Sequence, residues 1–261
     1  RKELRAARAG GPRPVLVHPL DVYAQADFVA QRILELRDEG VNLGEIAVLY
    51  RSHYHSMEIQ LELTRRDVPF TIRSGLRFFE QAHIKDVLSY LKFVENPRDE
   101  IAWKRCLQMI PRVGPKSAQA LWAGLAAAAD PFAALGDPAR EEDLSSAALA
   151  GWRSFVAAAH GLKDSAALGP AELIGRVMES DYRDYLQANY PNHERRVEDI
   201  RQLSNYAQRY RELEDFLSDL AMTGGVTGEE IRSGRDDEMV VLTTVHQAKG
   251  LEWRAVFLVW L

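Results

Sequence analysis

The 261-residue sequence contains one cysteine, Cys106, so it has neither an internal disulfide framework nor a cysteine-rich zinc site. A reducing cytoplasm is the expected setting. No apolar run approaches the roughly 20 residues that span a bilayer, so no membrane is expected. The opening stretch to Arg13 is basic, but the apolar core of a signal peptide does not follow it. His18, His55, His83 and His160 have no metal-ligand spacing. A Gly-x-x-x-x-Gly-Lys-Ser/Thr string is also missing. Gly114-Pro-Lys-Ser117 lacks the required upstream glycine, and no strand precedes it.

The rest of the composition is ordinary for a globular chain, with 46% hydrophobic and 27% charged residues. Net charge is −5, from 33 Lys+Arg against 38 Asp+Glu. That balance argues against a protein coated with nucleic acid. A local basic track remains compatible with it, because binding follows where the charge sits.

Hydrophobic periodicity predicts α/β character at both ends and helices between. Strands are expected at 14–18, 46–50, 69–72, 239–244 and 255–259. Helices are expected at 21–37, with Asp21 as N-cap and Gly40 as stop, and at 56–66. Ile84, Val87, Leu88, Leu91 and Val94 form the next helical stripe. Helical patterns then recur near 152–162, 171–178 and 193–220, and 223–237 reads as an exposed linker. Trp103, Leu107, Trp122, Trp152 and Phe155 read as helical core, Cys106 as an inert core thiol, and His193-Glu-Arg-Arg196 as a solvated helix start. The continuous apolar strand patterns suit a parallel sheet covered on both faces. A chain stopping on such a strand reads as a fragment of a longer polypeptide.

The sharpest signal is Thr243-Thr-Val-His-Gln-Ala-Lys-Gly-Leu-Glu-Trp253. A strand leads into a polar turn, then into another strand. Polar groups at the carboxyl end of a parallel strand commonly face a ligand crevice. Gly250 permits a tight turn, Glu252 can accept from a sugar hydroxyl, and His246 can donate to a phosphate or base. A loop with a solvated Lys and Glu is the plain alternative.

This string resembles motif V of the UvrD/Rep/PcrA family, the superfamily 1 DNA helicases. Ile46-Ala-Val-Leu-Tyr-Arg-Ser52, Pro69-Phe70, Gly75-Leu-Arg-Phe-Phe-Glu80, Ile84-Lys-Asp86 and Leu88-Ser-Tyr-Leu91 follow the family's domain 2A in order. Ser74-Gly75 stands where the family has Gly-Gly, and Asn96-Pro97 stands where it enters its helical insertion, domain 2B. The resemblance implies a partial RecA-like parallel sheet interrupted by a large all-α insertion. Its divisions fall at 1–94 (first part of 2A), 95–235 (2B) and 236–261 (return to 2A).

By motif position the resemblance assigns Glu252 and Gly250 to ATP. It assigns Arg51, His53, Thr244 and His246 to single-stranded DNA, although the family often has Asn where His53 stands. Lys249 is read as a local structural or phosphate contact, and Phe78-Phe79 as packing near the hinge. Ile110-Pro-Arg-Val-Gly-Pro-Lys-Ser117 resembles a helix-hairpin-helix turn, whose amides at a helix start bind phosphate. Arg112, Gly114, Lys116 and Ser117 are the duplex candidates there. Pro115 removes one amide donor, and an ordinary Pro/Gly helix–helix turn is the alternative.

The parent implied is an ATP- and Mg2+-dependent 3′-to-5′ helicase associated with the bacterial nucleoid. Its partners would be single-stranded DNA, the single/double-strand junction, and repair or replication proteins. The P-loop, the acidic Walker B pair and motif VI do not occur in this sequence, so the chain alone is expected to be inactive on ATP. Two rivals stay open: a non-enzymatic DNA-binding or partner-docking helical module, and a subunit of a helicase–nuclease.

Overall fold

The computed structural model describes residues 13–73, 77–142, 144–224 and 239–260. The expected linker lies almost wholly outside these residues, as do Ser74 and Gly75.

Asp21 caps the first helix, α1 (Val22–Asp38), by accepting from the amides of Tyr23 and Ala24 at 2.9 and 2.7 Å. Ala26, Val29, Ala30 and Ile33 repeat at helical spacing and form its buried face. Gly40, at φ +88°, turns the chain out of the helix. The chain then enters β1 (Ile46–Tyr50) and α2 (Met57–Arg65), followed by β2 (Phe70–Ile72). After the helical region come β3 (Val240–Thr244) and β4 (Ala255–Leu258).

These four strands make one sheet in the order β2-β3-β1-β4, with every pairing parallel. Ala47 faces Val241 on one side of β1 and Val256 on the other. The first strand of the chain is therefore held between its last two. The α/β parts at the two ends are one layer, and the helices between them are an insertion into it. The pattern implied a parallel α/β layer, and the resemblance a partial RecA-like sheet; both describe this arrangement.

The segment 14–18 forms no strand. It is extended chain with Val15 and Leu16 at 86% and 67% exposure. It adds to neither edge of the sheet, although β2 and β4 each have a strand neighbour on one side only.

The insertion contains α3 (Ala82–Glu95), α4 (Glu100–Leu107), α5 (Pro115–Ala126), α6 (Ala139–Glu142), α7 (Leu149–Asp164), α8 (Pro170–Glu179), α9 (Tyr182–Asn189), α10 (His193–Ala207) and α11 (Leu213–Gly224). The expected helical stretch 193–220 is two helices with a break after Ala207. Trp103 lies at the centre of the helical core, stacked on Phe93 at 4.3 Å and edge-on to Phe132 at 5.5 Å. Its indole N–H donates to the Pro97 carbonyl at 2.9 Å. Truncating such a residue to alanine costs about 3–5 kcal/mol. Leu107, Trp122, Trp152 and Phe155 join the same core, as does Cys106, whose thiol burial pushes well above its ordinary range.

Helix α2 couples the two cores. Ile59 and Leu63 pack with the sheet, while Met57 and Leu61 pack with the helices. The buried face of α3 lies in the helical core.

At the start of α10, Glu194 and Arg195 are exposed as expected, and Arg196 is the correction. Arg196 stacks over Tyr190 at 3.7 Å and reaches His83 Nδ1 at 2.9 Å. His83 Nε2 lies 3.2 Å from Asp199 Oδ2, and both side chains are almost fully buried. Nδ1 must accept from a guanidinium that has no proton-accepting alternative, so Nε2 carries the hydrogen toward Asp199. This contact ties α3 to α10.

Candidate nucleic-acid and nucleotide interface

Parallel strands present their carboxyl ends on one edge of the sheet, where loop residues converge. On this edge β1 delivers Arg51, and β3 delivers the turn 245–250.

The turn is built by its own backbone. The Thr244 carbonyl accepts from the amides of Gln247 and Ala248, both at 3.0 Å, and the amide of Leu251 returns to Ala248 at 3.0 Å. Gly250 sits at φ +85°, a conformation that a side chain would strain. Thr244 is buried, with its hydroxyl 3.1 Å from Gln247 Oε1, so it braces the turn from inside. His246, Lys249 and Glu252 are exposed. The turn is pinned to β1 by the Val245 amide on the Tyr50 carbonyl at 2.9 Å. Arg51 and the turn therefore share one fixed edge.

Arg51 is exposed and ends β1. His53 opens the short 3-10 helix His53–Ser56 that follows, and its side chain lies outside the described residues. Sequence reasoning passed over His55, two residues on. Its ring stacks on Trp260 at 4.7 Å and 18°, and the Trp260 indole donates to the His55 carbonyl at 3.1 Å. The Ser52 amide lies 3.3 Å from His55 Nδ1. Burial, helped by the nearby Arg51 charge, holds this imidazole below its ordinary range. The pairing of His55 with Trp260 spans 205 positions, so no local signal announces it.

The second set lies in the helical part. Gly114 is the N-cap of α5 and offers no side-chain cap, and Pro115 takes the first helical position. By helix geometry the first amides of α5 point outward, with Lys116 beside them. Arg112 and Lys116 are exposed and Ser117 is half-buried. The left-handed residue of the turn is Arg112, at φ +68°, while Gly114 is extended at φ −89°. Gly114 therefore uses its freedom from a side chain only as open space, with nothing within 4 Å of a built Cβ. This set rides on α4 and α5 and does not join the sheet-edge set.

Among the described residues, no group of three His, Cys, Asp or Glu side chains could hold a metal ion, and no helix is long and apolar enough to cross a membrane.

The profile of the UvrD-like helicase C-terminal domain matches residues 5–129 and 165–261. An ATP-dependent DNA helicase PcrA from Staphylococcus epidermidis is 27% identical over 98% of this chain. A protein of the same name from Staphylococcus aureus is 28% identical over 98%. The chain spans 36% of the length of either relative. With most of its length matched, the unmatched stretch 130–164 lying within the insertion, and its sheet closed by the two matched parts, the chain belongs to the UvrD-like helicase C-terminal domain family.

Proposed function

We propose that this chain is the portion of an ATP-dependent 3′-to-5′ DNA helicase that supplies one wall of the nucleotide cleft, part of the single-strand track and a duplex-contacting helical domain. The observation that carries this reading is the fixed edge shared by Arg51 and the turn 245–250. It combines an exposed cation and a histidine, with the Glu252 carboxylate just past the turn, at the carboxyl ends of adjacent parallel strands. The relatives' names, which specify ATP and DNA, support it. We divide the chain at about residues 95 and 235, with α2 as the helix that packs in both cores.

In this reading Glu252 accepts a ribose hydroxyl of ATP, and Gly250 lets the backbone approach the nucleotide. Bound ATP would draw the cleft closed, and hydrolysis of its phosphoanhydride would let it relax. Arg51 neutralises a phosphate, and His53 and His246 meet the single strand by stacking or hydrogen bonding. Thr244 acts by shaping the turn. The start of α5, with Arg112, Gly114, Lys116 and Ser117, grips a duplex phosphate. Mg2+ belongs to the intact enzyme, and no side chain here is assigned to it. Repair or replication proteins are the partners, and the bacterial nucleoid is the place of action.

The test is fluorescence anisotropy of the chain on labelled single-stranded, duplex and 3′-tailed DNA across a salt series. Each neutralised phosphate contributes a slope of about −0.9 on duplex and −0.7 on single strands in log K against log salt. Preference for tailed DNA is expected. Equal, salt-insensitive binding to all three DNAs, or none at low salt, would reject the DNA contacts. The chain alone should show no Mg2+-dependent ATP turnover above a protein-free control, and turnover would overturn the assignment of catalysis to other parts of the parent.

A further inference from the structure

Behind the hairpin turn lies a groove of about 870 Å³, large enough for several side chains of a ligand. One wall is the turn itself, residues 108–113. The opposite walls come from α7 and α9. The α7 wall lies in residues 130–164, the stretch that the family profile leaves unmatched. The groove is therefore built partly from a stretch outside the family profile's match.

The chemistry of the groove is uneven. Its floor is apolar and aromatic, with Phe155 buried and Tyr185 half-buried. Asp181 and Asp184 line the α9 side and are exposed. Neither carboxylate has an ion-pair partner among the described residues. Arg112, at the far wall, is the lining's one cation. Two unpaired carboxylates beside an apolar floor repel a phosphodiester and attract a cation carried next to an apolar group.

We propose that this groove docks a cationic peptide segment of a partner protein, with an aliphatic or aromatic side chain on the floor and a neighbouring Lys or Arg facing Asp181 and Asp184. This goes beyond the helicase reading and does not depend on it. Occupancy would press on the same turn that carries Arg112, so a docked peptide would alter the turn's exposure to DNA.

The test pans a phage-displayed random heptapeptide library on the full chain. The enriched consensus is then made as a labelled peptide and titrated by anisotropy. Enrichment of Lys or Arg within two positions of a bulky apolar residue is expected. Asp181→Asn combined with Asp184→Asn should weaken the consensus at least tenfold, with the loss shrinking as salt rises. Ala158→Trp, which fills the groove from the α7 side, should abolish binding, and the double Asn variant keeps the test decisive if the tryptophan variant misfolds. The proposal is overturned if no consensus emerges or if the consensus is acidic. It is equally overturned if the double Asn variant leaves peptide affinity unchanged, or gains only duplex DNA affinity.

Discussion

Arg65 on α2 meets Asp219 on α11 at 2.8 and 2.9 Å, across 154 positions of sequence. The same carboxylate accepts from the Tyr206 and Tyr210 hydroxyls at 2.8 and 2.6 Å. One side chain of the insertion is thus the shared acceptor for three donors, and one of these belongs to the sheet layer. Asp219→Asn removes the charge and leaves the donors competing for a weaker acceptor. Charge-assisted hydrogen bonds contribute about 1.5–3 kcal/mol each, and partial exposure of Arg65 lowers its share. A loss of about 2 kcal/mol in urea unfolding is expected, with Tyr210→Phe losing less.

Glu58, on the same helix, faces a cleft shared with Tyr23, Tyr206 and Arg209. Its Oε2 has no hydrogen-bond partner among the described residues, and burial pushes its pKa up from 4.5 to about 7. The folded state therefore holds this proton more tightly than the unfolded chain does. The resulting stability is full below about pH 4.5 and is lost as pH rises through about 7. Glu58→Gln should raise the Tm at pH 8 and flatten the stability change between pH 5 and 8. An unaltered pH slope in the variant would show that Glu58 is not the responsible group.

Gly151 packs α7 beneath the hairpin turn. A Cβ there would lie 3.0 Å from Pro111 Cδ and 3.1 Å from Ile110 Cγ2. Gly151→Ala must push the turn outward by a few tenths of an ångström or more. Duplex affinity should fall several-fold while single-strand affinity holds, and unfolding should shift by about 1–3 kcal/mol at most. Equal loss on both DNAs would count against a role confined to the turn.

The two contact sets sit on different parts of the fold, so their variants should separate. Arg51→Ala should weaken single-stranded DNA binding and reduce its salt slope by about 0.7. Lys116→Ala should weaken duplex binding and reduce that slope by about 0.9. A crossed pattern, with Lys116→Ala acting on single strands alone, would exchange the assignments.

Much of this arrangement was legible locally. The apolar runs at 46–50 and 239–244 hold β1, buried except for a half-buried Leu49, and β3, buried throughout, and Asp21 caps α1 as its position implied. Val15 and Leu16 misled because an apolar run states a preference for burial, and here the segment stays exposed and adds to neither sheet edge. The break between α10 and α11 carries no proline or glycine. It turns the chain so that Tyr210 can return to Asp219, a demand set by tertiary packing. Arg196 reads as surface charge until Tyr190 and His83 are known to lie beside it. At the candidate site, Gly250 and the exposed turn were readable. The inward-facing hydroxyl of Thr244 was not, since strand alternation fixes a face but not which face is covered.

The sheet order also sets a timetable for synthesis. Strand β1 leaves the ribosome well before both neighbours that complete its hydrogen bonding, which lie beyond residue 239. Until they emerge, the backbone of 46–50 has no sheet partner on either side, and its apolar side chains wait for a core that is still being translated. The insertion has no such delay, because its helices need mainly one another. Domain-wise folding would let it consolidate first and tether the two halves of the sheet, shortening the search that high contact order otherwise makes slow. Destabilising the helical core should therefore reduce the yield of soluble chain more than it reduces the stability of molecules that have already folded.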